Sequence, residues 1–273
     1  MVIGTPAASD LGWARPGAGA ATGTGVLVLS GSSGRLDLAR AERLAALGAT
    51  ALAFRWFGGA GPAVPREVPL ESFAGCLDLL ERECDRLVVL GLSYGAEAAL
   101  SLACRDPRPA AVIALAPTHV GWEGHRDDGA RARSKWTWDG VPLPFVPLAE
   151  GWVPDTDPPQ FVDLYRRSLD QAPAELLTAA RIPIERYAGD LLLVAGGDDR
   201  VWPAVASARA IEQARAAAGR ATTVVIDPAA GHPVTFPGEV PPDPRRPYAV
   251  GGDPGAPERL GAAAWPEVLR LLG

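Results

Sequence analysis

Short runs of apolar residues alternate along the chain with stretches of helical periodicity. Before residue 118 the apolar runs lie at 26–29, 87–90 and 111–115, and residues 50–55 are predicted to form a further strand. Helical patterns separate them at 36–47, at 70–84 and directly after residue 93. A run that is apolar at every position is typical of a strand buried on both faces. This alternation predicts an α/β fold with a mostly parallel central sheet flanked by helices.

The alternation stops within residues 118–180. Residues 118–160 have many prolines and no clear period, and helical patterns return only at 160–172 and 174–180. The irregular part contains four tryptophans, Trp122, Trp136, Trp138 and Trp152. Long irregular segments are uncommon in compact domains unless they are functional. We therefore expect 118–180 to be a cap-like insertion whose tryptophans line a substrate pocket.

The pattern of strands and helices resumes after the insertion. A strand is predicted at 191–195, a helix at 204–218, a strand at 222–226 and a closing helix at 258–272. Residues 1–24 give only a weak signal, so we expect them to be loosely ordered or to hold a short edge strand. Without an internal repeat or a recognisable linker, the sequence predicts a single domain over residues 1–273.

Composition narrows the class of protein. The 273 residues are 48% hydrophobic and 21% charged, which allows a large core, and the net charge of −6 argues against binding to nucleic acid. Three cysteines without Cys-x-x-Cys spacing are typical of reduced thiols. Because the sequence also shows no signal-peptide or membrane-span pattern, we expect a cytoplasmic protein that does not bind membranes. Its oligomeric state is left open.

A Gly-x-Ser-x-Gly motif at residues 91–95 joins a predicted buried strand to a predicted helix. That context is typical of a nucleophile elbow, a strained turn that presents a serine. Gly91 and Gly95 would let the strand and the helix approach each other closely. The helix N-terminus would favour negative charge beside the serine. Ser93 is therefore the candidate nucleophile.

Two further candidate groups follow predicted strands. Asp198 and Asp199 come after one strand and His232 after the next, and ligands bind at this edge of parallel sheets. The order Ser, Asp, His is the order found in α/β-hydrolases. His232 is predicted to be the general base and Asp199 the carboxylate that orients it. Asp199 is preferred because it stands four residues before Pro203, with Asp198 as the alternative.

Two backbone N–H groups are expected to form an oxyanion hole. One belongs to Tyr94, directly after the nucleophile. The other is assigned to Ser32, in the glycine-rich turn after the first apolar run, where Gly31 would allow close approach. Glu97, one turn into the helix, is expected to pack against the elbow and not to act as a base. No metal-ligand spacing and no phosphate-loop motif is present in the sequence, so no metal or cofactor is expected.

The chain resembles the C-terminal catalytic domain shared by acyl-CoA thioesterases and bile acid-CoA:amino acid N-acyltransferases. The segments that carry the resemblance are 30–37, 91–97, 182–186, 191–203, 230–232 and 251–265. The resemblance implies an α/β-hydrolase fold and a catalytic triad of Ser93, Asp199 and His232. It also implies that the partner is a small-molecule acyl thioester, with acyl-CoA as the expected substrate. Tyr94 departs from the animal enzymes, which carry a basic residue at that position.

The nature of the nucleophile favours hydrolysis over transfer. The amino-acid-transferring branch of the family uses a cysteine, and a thioester on sulfur favours attack by an amine. An oxygen ester on Ser93 instead favours hydrolysis by water. Three alternatives remain open at this point. The chain could be an esterase or peptidase of the same fold acting on a substrate without CoA, an acyltransferase to an amine or alcohol, or an inactive binding module.

Overall fold

A seven-stranded sheet forms the centre of the computed structural model, which describes residues 5–127, 129–241 and 246–273. Its strands are β1 (Leu11–Ala14), β2 (Thr24–Leu29), β3 (Thr50–Phe54), β5 (Arg86–Leu92), β6 (Pro109–Leu115), β9 (Asp190–Gly196) and β10 (Thr223–Asp227). The order across the sheet is β1-β3-β2-β5-β6-β9-β10. Strand β1 runs antiparallel to β3, and the other neighbouring pairs are parallel. The predicted fold class is confirmed, and part of 1–24 forms an edge strand.

Helices cover both faces of this sheet. They are α1 (Leu38–Ala45), α2 (Glu71–Glu81), α3 (Tyr94–Ala103), α4 (Val162–Gln171), α5 (Ala174–Ala180), α6 (Ala204–Ala217) and α7 (Ala256–Leu272). Buried residues of α1 and α7 belong to the core on one face, and those of α2, α3 and α6 belong to the core on the other. Within the described ranges, no helix combines the length and the apolar character needed to cross a membrane.

Residues 26–29 of strand β2 show why this run is apolar at every position. Val26 and Val28 point into one core and Leu27 and Leu29 into the other, and all four are 0% exposed. Successive side chains of a strand point to opposite faces, so a sheet covered on both sides requires apolar residues throughout.

Helices α1 and α2 are shorter than their sequence patterns. The pattern at 36–47 extends beyond α1, and the chain turns at Gly48 with a φ of +99°. The pattern at 70–84 likewise extends beyond α2, because the chain leaves the helix to enter β5. At that point the Asp85 N–H donates to the Gly23 carbonyl. Apolar periodicity therefore located these two helices and not their ends, whereas α5 has the bounds predicted for it.

The insertion contributes two strands to a second, three-stranded sheet that the sequence pattern did not predict. Its strands are β4 (Val68–Pro69), β7 (Trp136–Trp138) and β8 (Val141–Pro142). β4 precedes α2 in the main body and pairs in parallel with β7, so this small sheet attaches the insertion to the core. Strands of two or three residues are too short to show alternation, which explains the miss.

Helix α3 approaches the sheet most closely at Gly95. A Cβ at Gly95 would lie 2.6 Å from the Ser30 carbonyl oxygen and would overlap that of Leu29, and a Cβ at Gly91 would overlap the Gly95 carbonyl. Contacts this short with backbone atoms cannot be relieved by moving a side chain. The two glycines of the Gly-x-Ser-x-Gly motif are therefore required by packing.

We expect Gly95→Ala to lower the free energy of unfolding by about 1–3 kcal/mol, because the added methyl group forces α3 away from β2. Gly17→Ala is the matched control, since a Cβ there would have nothing within 4 Å. Urea unfolding of both variants measures the effect. Equal stability of the two variants would contradict the close packing at Gly95.

Candidate active site

Ser93 lies at the turn between β5 and α3 in a strained conformation. Its φ is 57° and its ψ is −119°, in a region that residues other than glycine rarely adopt. The Ser93 N–H donates to the Leu115 carbonyl at 2.9 Å, and the Ser93 carbonyl accepts from the N–H groups of Ala96 and Glu97. Hydrogen bonds on both sides hold the turn in this conformation.

The loop after β2 passes beside the candidate nucleophile. A Cβ at Gly31 would lie 3.1 Å from Ser93 Cβ and 3.3 Å from the Leu92 carbonyl oxygen, so the approach that the sequence suggested is present. Ser32 is an exposed residue of this same turn. Tyr94 begins α3, and its N–H therefore has no acceptor within the helix. The assignment of Tyr94 and Ser32 as oxyanion donors stays a prediction.

His232 and Asp199 form a buried pair. His232 Nδ1 donates to Asp199 Oδ2 at 2.8 Å, and their side chains are 8% and 2% exposed. Asp199 Oδ1 accepts the N–H groups of Val201 and Trp202 at 2.8 and 3.2 Å, which holds the carboxylate in place. With the proton on Nδ1, the other ring nitrogen is free to accept a proton.

Asp198, the alternative acid, makes different contacts. Its carboxylate accepts the Gly252 N–H at 2.8 Å and Arg200 Nε at 3.1 Å, and its side chain is 42% exposed. Burial acts to raise the pKa of Asp198, but the hydrogen bonds from Gly252 and Arg200 outweigh it and hold that pKa below its ordinary value. Of the two neighbouring aspartates, Asp199 is the one that contacts His232.

An aromatic cluster connects His232 to the elbow. It consists of Tyr94, Tyr165 from α4, and Trp202. The Trp202 ring lies 5.8 Å from that of Tyr94, 5.7 Å from that of Tyr165 and 5.9 Å from the His232 imidazole. The hydroxyls of Tyr94 and Tyr165 are 3.2 Å apart, and burial, together with Tyr94, raises the pKa of Tyr165. Tyr165 therefore stays a neutral phenol beside the site.

Behind the elbow lies a buried carboxylate, Glu97, which binds the insertion. Its Oε1 accepts the backbone N–H of Trp122 at 2.9 Å and the indole N–H of Trp136 at 2.8 Å. Its Oε2 accepts Lys135 Nζ at 2.6 Å, and both charged side chains are 0% exposed. Lys135 Nζ also lies 3.4 Å from the centroid of the Tyr94 ring. Glu97 packs beneath the elbow, as the sequence suggested, and joins α3 to the insertion.

The four tryptophans predicted to line a pocket do not all lie in one place. Trp122 and Trp136 are each 1% exposed and both donate to Glu97 Oε1. Trp138 packs partly buried against the core, and Trp152 packs on Phe161 with ring centroids 5.6 Å apart. Their role as substrate contacts stays a prediction, while the contacts of the first two are structural.

A cavity of about 310 Å³ lies beside Asp199 and is lined by residues of α4 and α6. Its lining includes Arg166, Gly197, Trp202 and Val205 as well as Asp199. Trp202 is the cluster member that faces both this cavity and His232.

Sequence reasoning missed three residues next to the site. Tyr165 and Trp202 complete the aromatic cluster, and Lys135 covers the Tyr94 ring. One signal was available, because Lys135 is the only lysine in the chain and lies in the aromatic segment.

The two histidines other than His232 have different surroundings. His119 Nδ1 lies 2.9 Å from Ser207 Oγ, and His125 is exposed.

We expect Lys135→Met to lower the free energy of unfolding by about 3–5 kcal/mol, because it leaves the Glu97 carboxylate buried without its cation. The double variant Lys135→Met/Glu97→Gln should recover most of that loss, since it removes both charges. Urea unfolding at neutral pH measures both. If the double variant is as unstable as the single one, the unpaired charge is not the cause.

Comparison with solved structures shows the same fold. A putative dienelactone hydrolase from Klebsiella pneumoniae subsp. pneumoniae MGH 78578 matches with a TM-score of 0.57 and 18% identity, covering 96% of this chain and 91% of that one. Est1E from Butyrivibrio proteoclasticus, bound to ferulic acid, matches with a TM-score of 0.49 and 14% identity over 82% of this chain and 86% of that one. No curated protein matches by sequence.

The family comparison covers the site itself. Residues 68–242 match the family described as "BAAT / Acyl-CoA thioester hydrolase C terminal". This range is more than half of the chain and includes Ser93, Asp199 and His232. The chain therefore belongs to the BAAT and acyl-CoA thioester hydrolase C-terminal family and is an esterase- or thioesterase-like enzyme of the α/β-hydrolase type.

Proposed function

We propose that the chain is a serine hydrolase that cleaves acyl thioesters, with acyl-CoA as the substrate class, through an acyl-enzyme on Ser93. One observation carries the proposal: His232 and Asp199 form a buried hydrogen-bonded pair at the sheet edge where the elbow presents a serine. Membership of a family that includes acyl-CoA thioester hydrolases supports a thioester carbonyl as the group attacked.

In the first half-reaction, Ser93 Oγ attacks the thioester carbonyl while His232 takes the serine proton. The negative charge that develops on the carbonyl oxygen is stabilised by the N–H groups of Tyr94 and Ser32. The C–S bond then breaks, and His232 gives its proton to the departing thiolate. The products of this step are a free thiol and an oxygen ester on Ser93.

In the second half-reaction, water attacks the ester while His232 accepts a proton from it. The bond between the acyl carbon and Ser93 Oγ breaks, and His232 returns the proton to the serine. Asp199 stabilises the imidazolium that forms in both halves and holds the ring in one tautomer. The acid is released, and the enzyme returns to its starting state.

We expect thiol release from acyl-CoA substrates by the wild-type chain and a loss on the order of 10⁴-fold or more in kcat for Ser93→Ala, because the nucleophile is removed. The assay follows thiol release from a panel of acyl-CoAs with a thiol reagent, and phenol release from a panel of aryl esters by absorbance. Gly17→Ala, which alters an open surface position, serves as the control.

The panel separates the alternatives. Turnover of aryl esters without any acyl-CoA would reject the thioester substrate and leave an esterase. Amide product after addition of glycine or taurine would identify an acyltransferase. Activity retained in Ser93→Ala would overturn the mechanism.

We expect Asp199→Asn to lower kcat on the order of 10³–10⁴-fold, because an amide no longer stabilises the imidazolium or fixes the tautomer. Asp198→Asn should keep kcat within about tenfold of wild type, since its carboxylate contacts Gly252 and Arg200 and not the base. Steady-state kinetics on the best substrate compares the two. A larger loss in the Asp198 variant would show that the acid is assigned wrongly.

A further inference from the structure

Lys135 is a buried cation to which the reaction steps above assign no role. Its side chain is 0% exposed, and its ammonium lies 2.6 Å from the Glu97 carboxylate, 3.4 Å from the centroid of the Tyr94 ring and 6.0 Å from that of the Trp136 ring. Burying a charge is costly unless it is paired and hydrogen-bonded. The carboxylate supplies the pairing, and the ring face supplies a second favourable contact.

The choice of lysine at this position fits the space. The chain has 26 basic residues, of which Lys135 is the only lysine. An ammonium is a compact point charge on a flexible stem, whereas a guanidinium is a broad plane. The compact ammonium fits between the Glu97 oxygen at 2.6 Å and the Tyr94 ring, whose centroid is 3.4 Å away.

Tyr94 is held by three contacts of its side chain. Lys135 covers one face of the ring, Tyr165 contacts the hydroxyl at 3.2 Å, and Trp202 packs at 5.8 Å between ring centroids. The backbone N–H of Tyr94 is the predicted oxyanion donor after Ser93. The side chain of Tyr94 is attached to Cα, which is bonded to the nitrogen of the N–H group. Fixing the ring therefore restricts the orientation of the peptide that contains this N–H.

We propose that Lys135 is a positioning residue for the oxyanion hole. Held by Glu97, its ammonium stacks on the Tyr94 ring and keeps the Tyr94 N–H directed at the oxygen that becomes negative in the transition state. This inference rests on the proposed serine hydrolase function. Because the oxyanion forms only in the transition state, the contact acts on kcat and leaves substrate binding almost unchanged.

The test uses a variant that loses the cation without leaving an unpaired charge. Lys135→Met/Glu97→Gln should fold, and its kcat on an acyl thioester should fall on the order of tenfold, a part of the 10²–10³-fold loss that follows removal of an oxyanion donor. KM should stay within about twofold. The inhibition constant of a trifluoromethyl ketone, which forms an oxyanion on the serine, should rise in parallel with the loss in kcat.

A second variant controls for the loss of an ion pair elsewhere in the chain. Arg55 and Asp10 form a partly buried pair at the β1 edge of the sheet, with side chains 32% and 3% exposed. Arg55→Met/Asp10→Asn should keep the wild-type kcat and the wild-type inhibition constant. Both double variants are assayed at a temperature where unfolding curves show them fully folded.

A double-mutant cycle tests the route through Tyr94. In a Tyr94→Leu background the ring is absent, so replacing Lys135 and Glu97 as before should cause no further loss in kcat. Losses that add fully in the two backgrounds would overturn the proposal, because Lys135 would then act independently of the Tyr94 ring. A wild-type kcat in Lys135→Met/Glu97→Gln would overturn it as well.

Ser93→Ala in the same assay separates failure of the proposed hydrolase function from failure of the proposed role of Lys135. If wild type shows no turnover of any ester or thioester, or if Ser93→Ala remains active, the proposed function fails and the inference fails with it. If Ser93→Ala is inactive while the Lys135→Met/Glu97→Gln variant matches wild type, only the role of Lys135 is rejected.

Discussion

The crossing of α3 over the sheet at the elbow is the constraint on which the rest of the site depends. Gly91 and Gly95 allow the strand and helix to meet, and Ser93 takes a positive φ between them. That crossing places the helix N-terminus beside the serine and brings Gly31 of the neighbouring loop against it. Trp202 packs against both Tyr94 of this turn and His232, which links the turn to the His232–Asp199 pair.

Two buried carboxylates near the elbow, Asp199 and Glu97, are each compensated by specific partners. Asp199 accepts hydrogen bonds from His232 and two backbone N–H groups, and Glu97 accepts from two tryptophans and Lys135. In a low-dielectric interior such groups are costly when unpaired and rigid when satisfied. The rings of the aromatic cluster contact Trp122 of the insertion and His232, so the insertion, the elbow and His232 form one packed unit.

The fold and the candidate triad were accessible from the sequence because their signals are local. A strand buried on both faces is apolar throughout, and the elbow motif needs only five consecutive residues. The preference for Asp199 over Asp198 came from its spacing to Pro203, and the structure adds that Asp199 is the one in contact with His232, because neighbouring side chains in a turn point to different partners. The pairing of Glu97 with Lys135 joins residues 38 apart in sequence, and no local pattern encodes such a contact. Trp122 and Trp136 were expected in a pocket because their segment is irregular and aromatic. Their hydrogen bonds to Glu97 are also long-range contacts that no local pattern encodes.

The central claim is that Ser93 carries the acyl group during turnover. The most direct measurement mixes the enzyme with an acyl-CoA, quenches with acid within the first turnover, and locates the added mass by peptide mass spectrometry. The account predicts a mass increase equal to the acyl group on the peptide that contains Ser93, and none in Ser93→Ala. An acyl group on another residue, or steady turnover without any acylated peptide, would contradict it.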